Sequence, residues 1–124
     1  MPQIKANLMG TGTPAEQAKS ISGRVVTGLT SSGSSSQANS LAISAEINVV
    51  TTTGANTGVR LPANLSAGDS MLVVNNGAST LFIYPPVGGI INGGSADAKV
   101  DVATLKGALC TCINGLDFSV VVGA

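Results

Sequence analysis

The sequence predicts an all-β fold: an antiparallel β-sandwich or jelly roll of about eight short strands, with an N-terminal arm and one short helix. Three observations carry that expectation. Aromatic residues make up only 2% of the 124 residues, so a core must be assembled from small and β-branched aliphatics, which suit pleated surfaces better than helices. Gly, Ser and Thr together form about a third of the chain and cluster between short apolar runs, as turn residues do. The runs recur with turn signals roughly every 8–12 residues, the spacing of sandwiches and small barrels. No fixed internal repeat is evident, which disfavours a solenoid.

Residues 1–12 (MPQIKANLMGTG) show neither helical nor strand periodicity and read as an extended arm whose apolar points are Ile4, Leu8 and Met9. Residues 13–124 form one domain. It begins with Thr13-Pro14-Ala15-Glu16, a capping-box pattern with proline at the first helical position, so a two-turn helix is expected over 14–22 and ends at Gly23. Strand patterns follow. Residues 24–30 are β-branched, and 31–36 (SSGSSS) form a flexible connector. From Asn39 onward Leu41, Ile43, Ala45, Ile47 and Val49 alternate with polar or small residues, as on a half-buried strand. Residues 58–61 form a short strand closed by Pro62, while 71–75 and 80–84 flank Asn76-Gly77-Ala78-Ser79, a hairpin signal. Pro85-Pro86 ends that pairing. Short strands are expected within 87–94 and over 99–103, and the last two, 108–113 and 117–122, flank a second hairpin signal at Asn114-Gly115.

The totals exclude several functions. Net charge is zero with six basic residues, too few for the clustered phosphate contacts of a nucleic-acid binder. The chain has no His, which removes the commonest general base and metal ligand, and with it Ser-His-Asp, Cys-His and HExxH chemistry. No enzyme activity, metal or cofactor is expected. No apolar run reaches 18 residues, so no membrane partner is expected either. Charged residues make up 10% of the chain, against roughly 25% in an average soluble domain. Neighbouring molecules are therefore expected to cover part of the surface, and copies to self-associate as dimers or trimers.

The remaining candidates for chemistry have plainer readings. Cys110 and Cys112 project from the same face of a strand, where a disulfide would be distorted and where reduced cysteines pack as small hydrophobes. Asp97 and Asp101 lack the oxygen-rich loop of a cation site and read as a solvated edge. Tyr84-Pro85-Pro86 reads as a strand end. Gly10-Thr11-Gly12 has no preceding strand or Lys-Ser/Thr pair, so it is no phosphate loop.

In order along the chain, Thr27-Gly28-Leu29-Thr30, Gln37-Ala38, Ile47-Asn48-Val49-Val50-Thr51-Thr52, Thr57-Gly58-Val59-Arg60-Leu61-Pro62, Val74-Asn75-Asn76-Gly77, Leu81-Phe82-Ile83-Tyr84-Pro85-Pro86 and Ile91-Asn92-Gly93 resemble a domain found in virion proteins of tailed bacteriophages and prophages. The likeness runs from about residue 10 to 122. It departs from the commoner pattern in the last strand, where Phe118 stands in place of an expected Trp. The resemblance implies a capsid decoration, or cement, protein with a jelly-roll-like fold. Such a protein is made in the host cytoplasm, sits on the outer surface of the virion, and stabilises the shell by bridging subunits of the major capsid protein. The arm bearing Ile4, Leu8 and Met9 is then the expected capsid contact. The alternatives are a phage tail or receptor-binding β-domain, which this chain lacks the heptads to carry on a stalk, and a carbohydrate-binding sandwich, for which three aromatic residues are a poor supply.

Overall fold

The computed structural model describes residues 24–123, and the arm with Ile4, Leu8 and Met9 and the helix expected over 14–22 lie outside them. The described residues are all-β and contain no helix. Nine strands follow in order: β1 (Val25–Thr30), β2 (Leu41–Ala42), β3 (Ile47–Thr52), β4 (Gly58–Arg60), β5 (Ser70–Asn75), β6 (Leu81–Tyr84), β7 (Val100–Val102), β8 (Gly107–Cys112) and β9 (Phe118–Val122). They form a five-stranded sheet, β1-β3-β5-β8-β9, and a four-stranded sheet, β2-β4-β6-β7.

Both sheets are mixed, which corrects the antiparallel jelly roll expected from strand spacing. β1, β3 and β5 pair in parallel in one sheet, and β2, β4 and β6 do so in the other. Only β5 with β8, β6 with β7 and β8 with β9 are antiparallel. Parallel neighbours need a long crossover between them. Here each crossover contains a strand of the opposite sheet, so the first six strands wind as three stacked coils. The coils leave no fixed repeat in the sequence because their lengths differ. Leu41 lies beside Val59, 18 positions on, whereas Ile47 lies beside Leu72, 25 positions on.

The same winding corrects three local expectations. The alternating run from Asn39 is two strands in different sheets, and its buried face inverts at the corner: Ile43 and Ala45 are buried, then Asn48 and Val50 rather than Ile47 and Val49. The Asn48 side chain holds that corner, its Nδ2 donating to the Ala45 carbonyl at 2.7 Å. Residues 76–79 lead from β5 in one sheet to β6 in the other and form no hairpin. Asn75, fully buried, spends all four of its side-chain hydrogen-bonding positions there. Nδ2 donates to the carbonyls of Ser79 (2.8 Å) and Val102 (2.9 Å), and Oδ1 accepts from Thr53 Oγ1 (2.8 Å) and the Gly77 amide (3.0 Å). Gly77 passes so close to Thr53 that a Cβ would collide with it. Residues 87–94 form turns, and their only ladder pairing is an isolated bridge between Ile91 and Phe118 of β9. The 108–113 and 117–122 hairpin is present as expected, with Asn114 Oδ1 accepting from the Asp117 amide at 3.0 Å in its turn.

One apolar cluster lies between the sheets. The five-stranded sheet contributes Val50, Met71, Val73, Cys110, Phe118 and Val120, and the four-stranded sheet Val59, Leu81, Ile83 and Val102. Phe118, the only aromatic ring in that cluster, is fully buried.

Candidate interaction face

Each sheet has one side turned to the core and one turned outward. On β6 the core takes Leu81 and Ile83, so alternation sends Phe82 and Tyr84 outward. They are nonetheless covered. The Lys99 ammonium lies 3.9 Å from the centre of the Phe82 ring, and Phe82 meets Tyr84 edge-to-face at 6.4 Å. The connector between β1 and β2 is tied down alongside: Arg60 Nη1 donates to the carbonyls of Gln37 (2.9 Å) and Ala38 (3.1 Å), and Gln37 Nε2 donates to the Pro85 carbonyl (2.8 Å) and to Asp97 Oδ1 (3.0 Å). The serine-rich stretch expected to be flexible is thus held by specific bonds, including Ser32 Oγ to the Asn39 carbonyl at 2.9 Å. Gly58 is required here, because a Cβ would fall 2.8 Å from Phe82 Cβ.

The outward side of the five-stranded sheet is different. Val25 pairs with Ile47, Ile47 with Leu72, Leu72 with Leu109 and Leu109 with Val121. These five residues form one row across every strand. Val25, Leu109 and Val121 are 54%, 49% and 65% exposed, and Ile47 and Leu72 are half-buried. A second row joins Val49, Val74 and Gly107, and the row on the opposite flank is Ser70, Thr111 and Ser119. Neither the apolar rows nor the polar flank carries a charged side chain. β5 is therefore apolar on both sides from Met71 to Val74, the pattern of a strand covered on both faces.

The edges of this sheet are less open than the face. Along β9, Asn92 imitates a neighbouring strand: its Nδ2 donates to the Val120 carbonyl (2.9 Å) and its Oδ1 accepts the Val120 amide (2.8 Å), while the Phe118 amide donates to the Ile90 carbonyl at 2.9 Å. On β1 a register irregularity between Val26 and Leu29 breaks the ladder.

The structure scatters the chemical candidates. Cys110 and Cys112 are free and buried, as expected of core cysteines, and burial pushes the Cys110 thiol up to about 12. Asp101 pairs with Lys99 at 2.6 Å. Asp97 accepts the Gly88 amide at 2.7 Å and the Gln37 amide, which hold its carboxyl below the usual value. Among the described residues no three of His, Cys, Asp or Glu gather into a metal-binding group. Phe82, Tyr84 and Phe118 are all buried, so no aromatic platform faces solvent. Comparison with protein-family models, curated proteins and solved structures found no match.

The apolar row was not singled out from sequence, although a signal for it exists. The runs Met71-Leu72-Val73-Val74 and Val120-Val121-Val122 do not alternate, and an unbroken run marks a strand with two apolar sides. The low total charge pointed to covered surface without saying which part of it.

Proposed function

We propose that the chain is a non-catalytic structural protein of a bacteriophage virion, which decorates the outer surface of the capsid and stabilises it by bridging subunits of the major capsid protein. The observation that carries the reading is the ordered set of landmarks from Thr27 to Gly93. The uncharged outer face supports it, because a protein displayed in many symmetric copies can rely on modest apolar and main-chain contacts multiplied by bridging. Pro85-Pro86 ends β6 ahead of β7 in the same sheet, and two landmarks sit where the chain changes sheets: Leu61-Pro62 just after β4 and Asn75-Asn76-Gly77 at the end of β5. Their role is to turn the coils, and the capsid contact is assigned instead to the arm with Ile4, Leu8 and Met9.

The reading is tested by co-sedimentation of the full chain with empty capsids of the cognate major capsid protein. Saturable binding is expected, together with a rise in the temperature at which the shells disrupt. Replacing Ile4, Leu8 and Met9 together by Asp should abolish binding while leaving the circular dichroism spectrum intact. Undiminished binding would remove the arm from the contact, and no binding by the wild-type chain would remove the capsid reading.

A further inference from the structure

We infer that the row Val25, Ile47, Leu72, Leu109 and Val121 is a self-docking surface, which packs face to face on the same row of a second copy of this chain. The inference goes beyond the capsid reading and stands without it. Three features point to a second copy as the occupant. The first is the strand pattern: β5 is apolar on both sides, and its outward side meets no other described element, so it fits the inner layer of a second sheet. The second is charge. An identical face brings identical charges against itself, and a charged patch would repel its own copy. The outward positions carry none, and the whole chain is neutral at pH 7, so neither contact nor approach is opposed. The third is area. Five strands about 4.8 Å apart, with three rows along them, give a footprint of roughly 24 by 20 Å per copy. About 1,000 Å² buried in total lies at the lower edge of what a specific interface needs.

That area sets the expected strength. A flat interface of this size without buried aromatic anchors belongs to weak association, with a dissociation constant on the order of tens of micromolar. In a symmetric stack, β5 at the centre of the sheet lies near the two-fold axis. Leu109 on the adjacent strand is then near the middle of the contact, and Val121 on the outermost strand is at its rim. A charge introduced at Leu109 should therefore weaken association more than the same charge at Val121.

Sedimentation velocity of the full chain from about 1 µM to 1 mM tests this. The expected result is a reversible shift from a 12.2 kDa monomer toward a dimer. Leu109→Lys should raise the dissociation constant at least about tenfold and Val121→Lys about two- to fivefold. Ser95→Lys, on a turn outside the sheet, carries the same added charge and should leave it unchanged. Thermal melts of all three establish that the variants fold. A monomer at every concentration overturns the inference, whether residues 1–23 or a capsid subunit then prove to cover the face. So does a dimer that resists both Leu109→Lys and Val121→Lys. Capsid co-sedimentation of the same proteins reads the other proposal separately.

Discussion

On the outward side of the four-stranded sheet Phe82 and Tyr84 are 9% and 6% exposed, whereas on that of the five-stranded sheet Leu109 and Val121 are 49% and 65% exposed. Both pairs lie on the outward side of the strand alternation. What differs is the connection: the ten residues 31–40 are bound to Arg60, Pro85 and Asp97 beside one sheet, while no described segment crosses the other. Two packed sheets have two outer faces to manage, and this chain lays the ordered connector 31–40 beside the face that carries Phe82 and Tyr84. The remaining face is apolar but free of charge, the composition of a surface meant to be covered by something else.

The comparison breaks most severely at the corner both sheets depend on. Asn75→Ala leaves the buried Val102 carbonyl without its Asn75 donor and unties Thr53 from the turn, and should cost about 3 kcal/mol in urea unfolding. A loss below about 1 kcal/mol would mean that the corner is held by its backbone alone. On the covered face, Gly58→Ala drives a methyl into Phe82 and should cost about 2 kcal/mol through overpacking. Gln37→Ala should cost about 1 kcal/mol and speed amide hydrogen exchange over 31–40 without altering exchange in β8. On the bare face, Leu109→Thr should change monomer stability by less than about 0.5 kcal/mol. A large loss there would show that the row supports the fold and is not spare surface.

The smallest effect is a pH dependence confined to the covered side. Asp97 is held below its ordinary value of 3.8 by the Gly88 amide first and Gln37 second. A depressed folded-state value stabilises above the unfolded value, and the contribution is lost as pH falls through the lower folded one. Acidification below about pH 4 should thus quicken exchange in the connector and the turn at Gly88, and Asp97→Asn should remove that dependence. Cys110 offers a parallel readout of the core: with its thiol pushed up to about 12 by burial, it should resist iodoacetamide near neutral pH until the protein unfolds.

Much of this architecture was legible in sequence because it depends on local chemistry. β1, β4, β5, β6, β7 and the β8–β9 hairpin fall within a residue or two of the runs that announce them, and the cysteines are buried and reduced as their spacing suggests. The failures are all questions of partnership. Asn76-Gly77 promises a tight turn, and the chain instead bends over 77–79 around the Asn75 side chain, a local change of direction that does not say whether the next strand pairs with the last or crosses to another sheet. Here that choice rests on Asn75 reaching Val102 and Thr53, contacts distant in the chain. The alternation from Asn39 similarly conceals a corner, because Ile43 and Val50 both face the core although they lie seven positions, an odd number, apart. The serine-rich connector reads as loose by composition, and its bonds to Arg60, Pro85 and Asp97, distant in the chain, show why it is ordered. The bare face needed a different reading, of runs that refuse to alternate.

The interleaved winding also sets the order in which the chain can complete itself. Pairings among the first six strands reach back no more than 25 positions, as from Leu72 to Ile47, whereas Leu109 must find Leu72 across 37. A chain emerging from a ribosome can therefore lay coil upon coil, but until β8 arrives β5 ends the sheet as an unpaired, two-sided apolar edge. The interval between the synthesis of Asn75 and of Cys112 is the stage at which this protein is most exposed to aggregation, and at which a chaperone would find the most to hold.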